Sequence, residues 1–214
     1  MILTITGPSG VGKTSLERFM CTEHGPFHRV VSHTTREPRE GERDGVDYHF
    51  ITEERFILMN VGSEFAEVAT PHGAWYGATV SQFTEPADQG LIPFFICDPE
   101  GVVQLKAEFG NRRVVSVFML PPDWDEVEKR IRSRSVLSEE QIERRMQDGK
   151  EWVLWAHTQG FIDYMVNQKP QIGSRDEQLI RSLNQTSSDV LEIVKCELKR
   201  PWRSIQMEET AKLL

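Results

Sequence analysis

No run of 18 consecutive apolar residues occurs in this 214-residue chain, so a helix spanning a bilayer is not expected. The apolar start, residues 1–5, is too short for a secretory leader. Cysteine is scarce. Cys21, Cys97 and Cys196 lack the spacing of a zinc site or a disulfide framework, and a reducing, cytoplasmic setting is the expectation. Positive charge is also short: 25 Lys and Arg against 33 Asp and Glu leave a net charge of −8 and a pI near 5.3. With no basic stripe, neither nucleic acid nor a membrane surface is expected as a partner. Small phosphorylated ligands stay open, because they feel a few local arginines and amides. No internal repeat or low-complexity tract is present. An apolar content of 38% is enough for a core, and the length fits one compact domain with a mobile insertion or two.

The most informative stretch is Gly7-Pro8-Ser9-Gly10-Val11-Gly12-Lys13-Thr14-Ser15, directly after an apolar run over residues 2–5. It is a strand running into a Walker A loop. Its glycines let the backbone curl around phosphates, its amides point inward, and the following helix adds its N-terminal dipole. Lys13 is placed to reach the β- and γ-phosphates of a nucleoside triphosphate, and the Thr14 hydroxyl to hold Mg²⁺. The competing reading, a glycine-rich turn beside a buried strand, leaves the lysine at that offset unexplained.

Further along, apolar runs at residues 29–32, 48–51, 91–97, 114–120 and 161–166 read as strands, with 64–70 and 75–80 as short strands around a turn at Pro71-His72-Gly73. Pro93 suggests an edge position or irregular start for its strand. Thr52 is expected to cap a helix carrying Phe56, Ile57, Leu58 and Met59, and Ser138 to open another through the capping-box residue Gln141. Trp124, Val127 and Ile131 recur at helical spacing. Ser174 is a cap for residues 176–183, and 189–200 reads as one more helix, stopped by Pro201, with Trp202 and Ile205 docking on the body or the tail loose. Strands alternating with helices predict an α/β fold with a mostly parallel sheet flanked by helices.

A second anion site is written in the polar stretch after residue 32. Arg36 and Arg39 stand three apart with Pro38 between them, near the hydroxyls of Ser32, Tyr48 and Tyr76. Paired guanidinium forks suit a phosphate monoester. The alternative is a solvated charged loop, since Glu37, Glu40 and Glu42 sit among the arginines. Asp98 ends an apolar strand, where ligands bind in open α/β sheets. Arg130 and Arg134 are i,i+4 neighbours whose repulsion favours an anion between them, against the alternative of a wet helix face. His24, His28, His72 and His157 are scattered; His33 and His49 lie near the acceptor motif. Trp152 and Trp155 read as packing residues rather than base-stacking ones.

With these residues on the page, the chain resembles guanylate kinase. The matching motifs are GPSGVGKTSL, SHTTREPREGERDGVDYHF, EFAEVATPHGAWYG, a stretch ending IERRM, and FIDYMVN. They cover residues 1–185 in the family's order. The resemblance implies a P-loop core (1–31, 89–122, 158–185), a small mixed α/β monophosphate-binding subdomain (32–88) and a helical lid (123–157), with 186–214 as a C-terminal extension, helical in part. It implies transfer of the γ-phosphoryl of ATP to GMP or dGMP with Mg²⁺; the choice between a monomer and a weak dimer stays open. Ser32, Arg36, Arg39, Tyr48 and Tyr76 are then the holders of the GMP phosphate. Glu67 accepts from the guanine N1–H and 2-amino edge, Asp98 stands close to the acceptor, and Arg130 and Arg134 belong to the lid. Arg145 closes over the transferring phosphate, and Asn167 lies in the adenine-side loop.

Two positions depart from the family's pattern. Ala78 stands where it usually has Ser or Thr donating to the base, and Ile96 where it has an acid two residues before Asp98. The readings are therefore an active guanylate kinase, a kinase of the same architecture with a drifted acceptor, or a non-catalytic guanylate-kinase-like module. Retention of Lys13 with Thr14 weighs against the last.

Overall fold

Alternate residues of β1 (Ile2–Thr6) face opposite sides, and every one of them is buried. A strand covered on both faces belongs in the middle of a parallel sheet. The computed structural model describes residues 1–70, 73–134, 137–168 and 175–200, the side chains of 134 and 175–179 excepted. It places β1 between β7 (Ile92–Ile96) and β8 (Val114–Leu120), with β2 (Phe27–Arg29) and β9 (Tyr164–Asn167) at the edges and all pairs parallel. Strand periodicity sorts the core. Leu3, Ile5, Phe94, Val115, Val117 and Met119 meet Leu16 and Met20 of α1 (Lys13–Glu23) and Val190 and Val194 of α7 (Arg175–Leu198). On the other face Ile2, Phe95 and Val114 meet Phe83 of α3 (Val80–Asp88) and Val102 and Leu105 of α4 (Pro99–Phe109). Each such side chain contributes about 1.5–3 kcal/mol by burial.

Three local expectations are corrected. The strand bearing Pro93 is interior, between β1 and β2. The alternative, an irregular start, fits: Pro93 is the second residue of β7, opposite His28 of β2, and the β1 ladder begins only at Leu3 opposite Phe94, one residue further on. The two helices read over residues 176–200 are one, α7, held through its middle by the core contacts of Val190 and Val194. The strand placed at residues 29–32 lies earlier, at Phe27–Arg29. Pro71, His72, Ser174, Trp202 and Ile205 lie outside the described residues.

A second, four-stranded sheet has the order β4 (His49–Phe50), β3 (His33–Thr34), β6 (Tyr76–Thr79), β5 (Phe65–Ala69). β3 and β4 are parallel and the other pairs antiparallel. α2 (Glu53–Val61) starts at Thr52, whose hydroxyl accepts the Arg55 amide at 3.2 Å, and its Phe56 stacks on Phe65 with centroids 4.4 Å apart. α5 (Trp124–Arg134) and α6 (Glu139–Thr158) form a helical pair around Val127, Ile131 and Ile142. Ser138 and Gln141 close both bonds of the capping box at 3.1 and 3.2 Å. Among the described residues no helix is long and apolar enough to cross a membrane.

Candidate active site

β1 leads through Gly7, Gly10 and Gly12 into α1. Gly7 has φ 141°, and a Cβ there would stand 2.6 Å from the Met119 carbonyl oxygen, so any side chain pushes the loop off β8. Gly12, at φ 98°, is the left-handed residue ahead of α1. Val11 is fully buried and pins the loop to the core. Lys13 Nζ donates to the carbonyls of Gly7 and Pro8 at 2.6 and 2.9 Å. Thr14 and Ser15 follow in the first turn of α1, half-buried.

A cavity of about 560 Å³ opens beside this loop. Ser9 and Lys13 line it from the P-loop, and Ser32, Tyr48, Glu67 and Tyr76 from the second sheet and its loops. Ile96 and Asp98 line it from the carboxyl end of β7, and Arg145 from α6. Residues read from the sequence as donor and acceptor groups thus share one space. Gly7, Pro8, Gly10, Val11, Gly12, Thr14, Ser15, Arg36, Arg39, Arg130 and Asn167 are not among the side chains lining it.

The loop between β3 and β4 is tied at both ends: Thr35 and Trp75 exchange two hydrogen bonds, and Asp44 accepts the Phe50 amide at 2.9 Å. Within it the Arg36 guanidinium donates to both carboxylate oxygens of Glu42 at 3.0 Å and through Nε to the Tyr76 hydroxyl at 3.1 Å. Glu42, one of several solvated acids on the alternative reading of this loop, is thus a specific partner, and its hydrogen bonds from Arg36 hold its carboxyl below the usual carboxylate range. Arg39 is exposed, with its backbone amide donating to Glu42 at 2.8 Å.

Glu67 lies on β5, directly opposite Ala78 on β6, and is only 4% exposed. Burial pushes its carboxyl up to about 8, and the charges of Asp98 and Glu100 add to the rise. Room for it comes from Gly101: a Cβ there would stand 3.1 Å from Glu67 Oε1 and 2.8 Å from Cys97 Cβ. The Gly101 amide donates to Asp98 at 2.8 Å, so Asp98 caps α4 while lining the cavity. Beside Glu67, the Gln104 side-chain amide bonds both the amide and the carbonyl of Val68, at 2.9 and 3.0 Å. Ala78 is fully buried, and Thr79 bonds locally to Ser81 and Gln82.

The helical pair closes over the P-loop. Gly149 approaches Pro8 and Trp124, where a Cβ would find atoms at 3.1 Å. Arg145, Asp148 and Trp152, at helical spacing on α6, face the cavity together, and Arg144 joins them. Trp152 thus lines the cavity from α6, on the face that the i, i+3, i+7 spacing from Arg145 marks out. Arg130 is held by Glu126 at 2.8 Å and contacts Gln168 at 3.4 Å. Gln168 is buried, with its amide nitrogen 3.5 Å from where a Gly12 Cβ would stand; nothing in the sequence singles it out. The Arg134 side chain lies outside the described residues, and Asn167 ends β9, exposed.

A family model described as Guanylate kinase matches residues 1–168. A guanylate kinase of Nitratidesulfovibrio vulgaris is 42% identical over 146 residues, 68% of this chain and 70% of that protein. One of Caulobacter vibrioides is 38% identical over 153 residues, 72% and 71% of the two chains. The crystal structure of guanylate kinase from Anaplasma phagocytophilum superposes with a TM-score of 0.69 at 23% identity, covering 94% of this chain and 87% of that one, which supports the fold. On the family match and these relatives, the chain belongs to the guanylate kinase family.

Proposed function

We propose that the chain transfers the γ-phosphoryl group of ATP to GMP or dGMP, giving ADP and GDP or dGDP. The observation that carries this reading is the single cavity joining Lys13 of the P-loop to the buried Glu67 and the phenols Tyr48 and Tyr76. The relatives' shared name supports the acceptor.

The acceptor phosphate is already an anion with an exposed oxygen, so no strong base is required. The task is to hold two anionic groups in line against their repulsion. Lys13, now satisfied by the loop's own carbonyls, turns to the β- and γ-phosphates, with the loop amides and the start of α1 behind it. Ser32, Tyr48 and Tyr76 hold the acceptor phosphate, with Arg36 and Arg39 behind them. Glu67, once ionised, accepts from the two N–H groups on the guanine edge. Arg145, from α6, meets charge growing on the transferred group; Arg130 and Arg134, from α5, act on the donor side, with Asn167 toward the adenine. Mg²⁺ bound with ATP would supply charge neutralisation to the phosphates. Thr14 is the side chain that would hold it. Among the described residues no group of three His, Cys, Asp or Glu stands together to hold a metal.

Ala78 favours a second reading, a drifted acceptor, because no hydroxyl stands opposite Glu67. A panel of monophosphates with ATP and Mg²⁺ separates the two. GMP is expected to exceed AMP, CMP and UMP in kcat/KM by more than about a hundredfold, since only the guanine edge pairs both oxygens of the buried Glu67 and another base leaves that polar group unpaired. Another preferred acceptor would overturn the guanine reading, and no turnover of any monophosphate the kinase reading. Ala78→Ser is expected to lower the KM for GMP by roughly 2- to 10-fold, the worth of one hydrogen bond, and to leave that for ATP unchanged.

A further inference from the structure

Glu42 occupies an unusual place for an acid, inside the loop that carries the acceptor arginines. Its two carboxylate oxygens take one N–H from each terminal nitrogen of Arg36, both at 3.0 Å, and Oε2 also accepts the Arg39 backbone amide at 2.8 Å. The pair is largely shielded from solvent, with side chains 18% and 20% exposed. Arg36 Nη1 adds a bond to the Glu37 carbonyl at 2.7 Å, and its guanidinium stands over the rings of Tyr48 and Phe50, 5.4 and 5.9 Å from their centroids. Four of the five guanidinium donors are thereby used, the fourth by the Tyr76 hydroxyl. The last has a consequence for the cavity. The Tyr76 oxygen accepts from Arg36, so its own proton is directed elsewhere, and Tyr76 lines the cavity. The free N–H on Nη2 is likewise held at a fixed angle.

We propose that Glu42 is a positioning residue of the acceptor site. It forks Arg36 into one orientation, and Arg36 in turn orients the Tyr76 hydroxyl toward an incoming phosphate. The arrangement rests on the acceptor reading above. It trades part of the arginine's charge for a fixed direction, since a long side chain ordered before binding loses less freedom when the phosphate arrives. A bidentate carboxylate is suited to the task because it matches the planar guanidinium along two parallel bonds.

The test is a double-mutant cycle on steady-state kinetics, with KM for GMP, KM for ATP and kcat read separately. Glu42→Gln keeps the size and one acceptor oxygen but faces an Arg36 nitrogen with an amide. It is expected to raise the KM for GMP about tenfold while the KM for ATP and kcat change less than about threefold. In the Arg36→Ala background the same substitution is expected to change the KM for GMP less than about twofold. An equal rise in both backgrounds would overturn the proposal, because it would mean that Glu42 acts only through the Arg39 amide and the loop. A lowered KM in the single variant would overturn it too, as the mark of a carboxylate competing with phosphate for Arg36. If Glu42→Gln melts below the assay temperature, Glu42→Asp, one methylene short, replaces it under the same criteria. Wild-type turnover is measured first. Should another monophosphate be the better acceptor, the cycle is run with that one, since the phosphate is common to all and the two readings then fail separately.

Discussion

Burial holds the Glu67 carboxyl at about 8, so the empty site keeps its proton at neutral pH. On the proposed reading Glu67 meets the guanine edge of GMP, which offers two N–H donors and needs the carboxylate. Binding GMP must therefore release a proton below pH 8, and affinity must improve as pH rises toward that value. The KM for GMP is expected to fall by up to about tenfold per pH unit between pH 6 and 8 and to level off above it, with the profile flattened in Glu67→Gln. A pH-independent KM in the wild type would refute this role. Stability moves the other way. The folded value lies above the unfolded one of 4.5, so the contribution is full below pH 4.5 and is lost as pH climbs to 8. The loss is about 4–5 kcal/mol when complete. Glu67→Gln carries no charge to bury and is expected to melt at least about 4 °C above the wild type at pH 8.5 in the absence of nucleotide, measured by calorimetry.

At the scale of elements, β5 is the edge of the second sheet and carries Glu67. An edge strand shows unpaired amides and carbonyls, and here the Gln104 amide covers both groups of Val68 from α4. That side chain fixes β5, the strand bearing Glu67, to α4. Gln104→Ala is expected to cost roughly 1–3 kcal/mol by leaving both Val68 groups unpaired and to raise the KM for GMP but not for ATP; a melt and the two KM values check it. None of this was legible from the chain, because Gln104 carries no local signal. What was legible is local: the P-loop with its glycines, the caps Thr52 and Ser138, and the continuous apolar run of β1. Asp98 ahead of α4, Pro99 at its first position and Gly110 behind it also mark a helix. Two roles coincide at Asp98, since the carboxylate that caps α4 also faces the ligand space. The specific partner of Glu42 was hidden for a different reason. Composition presents a mixed-charge loop, and only the β3–β6 pairing brings Arg36 against Tyr76 from 40 residues away.

For the molecule as a whole, the question is how the acceptor loop stays registered to the P-loop when the two grow from different sheets. α1 answers part of it. The helix that begins with Lys13 and Thr14 carries Glu17 and Arg18 on its next turn. Glu17 pairs with Arg29 of β2 at 2.9 Å, Arg29 donates to the Val46 carbonyl, and Arg18 meets Asp47 at 3.2 Å. Asp47 in turn accepts the Arg43 amide at 3.0 Å. A clasp thus runs from the donor helix to the far end of the loop that holds Arg36 and Arg39. Its centre is buried: Glu17 is 3% exposed, and burial pushes its carboxyl up to about 7 against the pull of Arg29. Removing the guanidinium raises that value further. A carboxyl whose folded value exceeds its unfolded one contributes stability at low pH and loses it as pH climbs to the folded value, so a higher folded value extends the loss upward. Arg29→Ala is therefore expected to lower Tm more at pH 8.5 than at pH 6, the difference reaching about 4 °C or more, because at pH 6 Glu17 simply keeps its proton. The KM for GMP should rise in the same variant as residues 43–47 lose their anchor, with the KM for ATP unchanged. Equal melting losses at both pH values would mean that Glu17 bears no charge in the folded protein even beside Arg29, and the clasp would reduce to the Val46 and Asp47 contacts alone.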